Sequence, residues 1–167
     1  MSIIAYRPLL RIAVVAGIAI ASLSVAHAAP DACALLTVAQ ISAAVGSPVS
    51  PPSPTVGGDG SVGCMYGFGA TGNNIGIDLY QFSSAAEAQK KFSEELHGEE
   101  DTAHYKRTVE SGVGEGAFSR VSISGGMLKW TTLEALQGSR IIRIGALSNP
   151  AVPLDRLRAL MLKALAR

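Results

Sequence analysis

Val62-Gly63-Cys64-Met65-Tyr66-Gly67-Phe68, followed after a turn by Ile75-Gly76-Ile77-Asp78-Leu79-Tyr80, is the stretch that decides the fold. Val62, Cys64, Tyr66 and Phe68 alternate with Gly63, Met65 and Gly67, the period of a strand with one heavy face. Ile75, Ile77 and Leu79 alternate in the same way with Gly76, Asp78 and Tyr80. Gly69 to Asn74 lies between them as a turn, so the second strand is predicted to return antiparallel as a hairpin, with Asp78 facing solvent.

Downstream, Ser84 and Glu87 have capping-box spacing. Ala85, Ala88, Phe92 and Leu96 form an apolar stripe opposite Lys90, Lys91, Glu94 and Glu95, which predicts a helix packed on the sheet. Tyr105 to Val109 reads as a short strand, and Val113 to Phe118 leads into another that runs to about Ser124. The glycines of Val113-Gly114-Glu115-Gly116 make a weak Gly-rich string. A phosphate loop would need a helix immediately after it, and Ala117 onward is β-like, so a turn is expected. Gly125-Gly126 suits a two-residue hairpin, Met127 to Ala135 returns, Gln137-Gly138 turns again, and Ser139 to Leu147 completes a three-stranded meander. Pro153 suits the first turn of a closing helix. Leu154, Leu157, Met161 and Ala164 line its buried side, while Arg156, Arg158, Lys163 and Arg167 face water as a solvated basic face, with docking the alternative reading.

Upstream, Thr37 and Gln40 again have capping-box spacing, which starts a helix at Val38. Val38, Ile41 and Val45 share one face, and Gly46 stands where a left-handed residue stops a helix. Asp31 to Leu36 forms a separate turn that sets Leu35 and Leu36 against the core and brings Cys33 near the strand carrying Cys64. Between Gly46 and Cys64 lie Pro48, Pro51, Pro52 and Pro54, then Gly57, Gly58, Gly60 and Gly63. Residues 47–63 are therefore expected to be an irregular loop, either a connector or part of a binding rim.

The first residues have the form of an export signal. Arg7 and Arg11 precede the apolar run Ile12 to Val25, and Ala26-His27-Ala28 is an A-x-A cleavage site. The run is shorter than the roughly 20 residues of a spanning helix, so residues 1–28 are assigned as a cleaved signal peptide and 29–167 as one domain. The signal holds two of the 14 basic residues and none of the 13 acidic ones, which leaves 12 against 13, a net charge of −1. That argues against nucleic acid as a partner and against electrostatic attachment to lipid, and no stable membrane insertion is expected after cleavage. Two cysteines in an exported chain are most simply one disulfide, Cys33 to Cys64. Neither lies in a Cys-x-x-Cys motif or beside a histidine, as a reactive thiol would require.

The order of elements indicates an α+β domain, an antiparallel sheet of five to six strands packed with about three helices and stapled by one disulfide. The blocks Cys64 to Leu96 and Met127 to Leu165 are each a hairpin followed by a helix. Cys33-Ala34-Leu35-Leu36-Thr37 with Gly46, Cys64-Met65-Tyr66, and Val113-Gly114-Glu115-Gly116-Ala117-Phe118 resemble a group of small exported bacterial proteins and lipoproteins of unknown function. The resemblance implies a PsbP-like sandwich, with helices on both sides of the sheet and the paired cysteines bridged. It carries over no catalytic residue, and the lipidation box of its lipoprotein members is absent.

The functional expectation is an exported, periplasmic or secreted, non-enzymatic binding or accessory domain of the cell envelope. Its partner is an unknown envelope protein or a small ligand, with no cofactor. Tyr66, Tyr80 and Trp130 are the candidate binding surface, since aromatics are the usual anchors of interfaces. The alternative is a small periplasmic hydrolase or metal-binding protein that uses His97, Glu99, Asp101 and His104, although their spacing fits no standard zinc site.

Overall fold

A computed structural model describes residues 31–69, 72–99, 102–123 and 127–167. The segment expected to be a signal peptide, Asp101 and the expected Gly125-Gly126 turn lie outside the described residues. A 3-10 turn (Ala32–Ala34) comes first. It is followed by α1 (Val38–Val45), β1 (Ser53–Val56), β2 (Val62–Gly67), β3 (Asn74–Gln81), α2 (Ala85–His97), β4 (Tyr105–Glu110), β5 (Gly116–Ser122), β6 (Lys129–Gln137), β7 (Arg140–Ser148) and α3 (Leu154–Leu165). The strands form one antiparallel sheet in the order β1-β2-β3-β7-β6-β5-β4.

The α+β class and its hairpins agree with the alternation in the sequence, but the sheet has seven strands rather than five or six. The extra strand is β1, which lies within the 47–63 stretch expected to be irregular. Val49 also bridges Phe68, so this segment runs along the sheet edge instead of looping free. The prolines do not prevent this. An edge strand leaves one row of backbone groups without ladder partners, and there the missing N–H of Pro54 is tolerated. The strand is exposed throughout, which explains why it carries no hydrophobic alternation to read.

The helices occupy both faces. On one face, Cys64, Tyr66, Ile75, Ile77, Leu133, Ala135, Ile142 and Ile144 pack with Ile41 of α1 and with Leu157, Leu160, Met161 and Ala164 of α3. Ile77, Ile144 and Leu133 align across three neighbouring strands and are fully buried. Each contributes about 1.5–3 kcal/mol of burial free energy. On the other face, Ala88 and Phe92 of α2 pack with Tyr80, Phe118, Leu136 and Ile141. The two hairpin-helix blocks thus place their inner strands, β3 and β7, side by side at the centre and send their helices to opposite faces.

The start and stop signals form as the spacing requires. Thr37 Oγ1 accepts the Gln40 N–H at 3.2 Å, Gln40 Oε1 accepts the Thr37 N–H at 2.7 Å, and Gly46 takes the left-handed conformation at φ 74°. In α2 the serine half of the box forms, but Glu87 Oε2 reaches one residue further back, to the amide and hydroxyl of Ser83. Cys33 and Cys64 are bonded, with Cα atoms 5.1 Å apart, which ties the N-terminal turn to β2.

Candidate functional site

Because side chains alternate along a strand, the face beneath α2 is built from the residues that the apolar core leaves over: Asp78 and Tyr80 of β3, Arg143 of β7, Glu134 of β6 and Arg120 of β5. The register sets them in a row. Asp78 lies opposite Arg143, and Arg143 opposite Glu134, in adjacent strands. Arg143 is the hub. Its Nε donates to Glu134 Oε2 at 2.8 Å, its Nη1 to the Tyr80 hydroxyl at 2.7 Å and its Nη2 to Glu95 Oε2 of α2 at 2.7 Å. Arg120 donates to the Glu95 carbonyl at 3.2 Å and lies 4.8 Å from the centre of the Phe118 ring, while Arg107 donates to the carbonyls of Leu96 and Gly98. These arginines take up the last carbonyls of α2, which have no partners within the helix, and so fix its end on the sheet.

Burial dominates the electrostatics. The Glu134 side chain is 2% exposed, and Oε1 is enclosed without a hydrogen-bond partner. Burial pushes its carboxyl up to about 7, against the opposing pull of Arg143. Burial also raises Asp78, and it raises the Tyr80 phenol to about 12. For Arg143 burial works against the charge, but Glu134, Tyr80 and Glu95 outweigh it and raise its basicity. Asp59 is held low, first by the Ser61 hydroxyl at 2.8 Å and amide at 3.2 Å, and in smaller part by Tyr80.

Along the strands beyond Arg143, toward Gly76, Gly145 and Trp130, the buried core contacts of α2 do not extend among the described residues, since they fall on Tyr80, Phe118, Leu136 and Ile141. The floor there is glycine: Gly76 lies directly opposite Gly145. The Trp130 ring and the Thr132 methyl lie close enough to Gly145 to crowd a Cβ at 3.3 and 3.1 Å, and the Met65 side chain covers Gly76. Met65 is 38% exposed, and Trp130 and Leu147 are partly exposed. The result is an apolar surface bordered by the ionic row, with Arg143 and Glu95 reaching solvent at its rim.

The three aromatics do not form one patch. Tyr66 is buried on the opposite face, its hydroxyl 3.5 Å from the Leu36 carbonyl, and Tyr80 is buried beneath α2. Both are corrected from surface anchors to core. The strand alternation that identified them points Tyr66 at the α1/α3 layer, and α2 covers Tyr80. Trp130 alone keeps an accessible position. Asp78 is partly buried rather than solvent-facing. His97 is the last residue of α2, Glu99 is exposed beyond it, and His104 lies in the turn before β4. No group of three or more His, Cys, Asp or Glu side chains able to hold a metal ion occurs among the described residues.

Glu134 and Arg143 were missed as a site, although a signal was present. Each is a lone charge inside an apolar strand, in Leu133-Glu134-Ala135-Leu136 and in Ile141-Ile142-Arg143-Ile144, and the two-residue turn between these strands brings the two charges into register.

The fold has a counterpart of known structure. The chain is similar to the extracellular domain of PknH from Mycobacterium tuberculosis, with a TM-score of 0.53 and 11% identity over 80% of this chain and 92% of that one. At this identity the likeness is one of fold. No family model matches the chain, and no curated protein does.

Proposed function

We propose that this is an exported, non-enzymatic recognition domain that takes its ligand or protein partner on the uncovered part of the sheet beside α2. The observation that carries this reading is the apolar surface of Met65, Trp130 and Leu147 on its glycine floor, edged by a guanidinium that three partners hold in place. Binding sites combine apolar area with a few fixed polar groups, and a preorganised Arg143 loses little freedom on contact. Export is supported by the disulfide, by the N-terminal signal pattern, and by a fold shared with a domain described as extracellular.

Trp130 is the single tryptophan of the chain, so its emission reports directly on this surface. Fractionated envelope extract containing the ligand is expected to shift that emission, and Met65→Asp, at an exposed position, is expected to abolish both the shift and retention on an immobilised column. Retention that survives Met65→Asp with no change in Trp130 emission would place recognition elsewhere.

A further inference from the structure

The opposite side of the molecule holds two adjoining hollows that share Ala44 and Arg156. One, of about 530 Å³, opens between the end of α1, the β2–β3 turn and the segment leading into α3, with mostly apolar walls that include Val45, Phe68, Pro150 and Val152. The other, of about 330 Å³, is a groove between α1 and α3 with Ala43, Ala159 and Leu160 on its floor. The larger lies within the usual range of small-molecule sites, ~300–1,000 Å³.

Their charge is one-sided. Among the described residues no carboxylate lines either hollow, while Arg156 and Lys163 stand at the rim of the smaller one. These two residues are seven apart, two turns along one helix face and about 10 Å from each other along the axis. Among the described residues neither is in a salt bridge, and the Arg156 guanidinium makes a single hydrogen bond, to the Ala44 carbonyl at 2.9 Å. Elsewhere on α3 the chain pairs its cations: Arg158 bonds the Ser111 carbonyl and meets Glu110. Cations outside any ion pair beside a mostly apolar hollow complement a molecule with an anionic head and an apolar body.

We propose that the α1/α3 groove and the adjoining hollow form a binding site for a single-chain carboxylate amphiphile. The head lies between Arg156 and Lys163, and the chain lies along Val45, Phe68 and Val152. The site is separate from the surface around Trp130, and its occupancy does not depend on the function assigned to that surface.

The test is calorimetric titration of the purified chain with sodium dodecanoate below its micellar concentration, with dodecyltrimethylammonium as the cationic control. Dodecanoate is expected to bind saturably at one site and the control is not. Lys163→Gln is expected to weaken binding at least fivefold, and Ala159→Trp, which fills the groove without changing charge, to abolish it. Arg156→Gln is expected to weaken it further, and because Arg156 also holds α1, Lys163→Gln serves as the variant that leaves this contact intact. Trp130 emission is expected to stay constant during titration of the unmodified chain and of Lys163→Gln, in which it is the single tryptophan. Equal affinity for both amphiphiles, no saturable dodecanoate binding, or unchanged affinity in both Lys163→Gln and Ala159→Trp would overturn the assignment.

Discussion

Replacing Arg143 with methionine tests the ionic row most directly. The side chain of Glu134 is 2% exposed, and one of its oxygens already has no partner. Arg143→Met strips the other oxygen and leaves an uncompensated buried carboxylate, a loss worth about 3–5 kcal/mol. Because Arg143 is itself 22% exposed, and water can follow the truncated side chain in, the lower end of that range, ~3 kcal/mol, is expected at pH 8. The penalty depends on pH with a definite sign. Burial already raises Glu134 to about 7 in the folded chain, so its contribution to stability is fully present below its unfolded value near 4.5 and is lost as pH rises through about 7. Loss of Arg143 raises it further, so at pH 5.5 the variant folds with Glu134 neutral and most of the penalty disappears. Urea unfolding at both pH values, with the m-value checked for constancy, measures this. Glu134→Met combined with Arg143→Met is expected to recover most of the loss, since an apolar pair can replace a buried ion pair. A penalty below ~1 kcal/mol at pH 8, or one of equal size at pH 5.5, would refute the role given to the row.

Cys33→Ser with Cys64→Ser opens a loop of 31 residues and is expected to cost about 3–4 kcal/mol, read as a lowered midpoint in thermal or urea unfolding. Gly114→Ala is expected to destabilise by at least ~1 kcal/mol, because φ is 58° there and a Cβ would lie 2.4 Å from the Leu136 carbonyl oxygen; chemical denaturation measures it. Thr37→Ala removes the hydroxyl half of the α1 cap and is expected to cost ~1 kcal/mol, with faster amide exchange confined to the first turn of α1.

The sequence by itself determined the features that depend on neighbours along the chain. Alternation placed β2, β3 and the β5-β6-β7 meander, capping spacing placed the starts of α1 and α2, Gly46 placed the end of α1, and the cysteine pair placed the staple. Local sterics and the period of side-chain direction set these, and both act over a few residues. Tertiary structure alone decided which surfaces are covered. Ser53 to Val56 became a strand because an open edge of β2 lay beside it, without any pattern of its own. Tyr66 and Tyr80, indistinguishable in sequence from surface aromatics, became core because α1 and α3 cover one face and α2 part of the other. Glu134 and Arg143 are brought together by the β6–β7 hairpin, but Glu95, 48 residues from Arg143, joins them only once α2 packs on the sheet, and Arg156 and Lys163 frame a hollow only where α1 closes over α3. Burial, and the charge environment that burial creates, is a property of the assembled layers, and no local stretch of this chain encodes it.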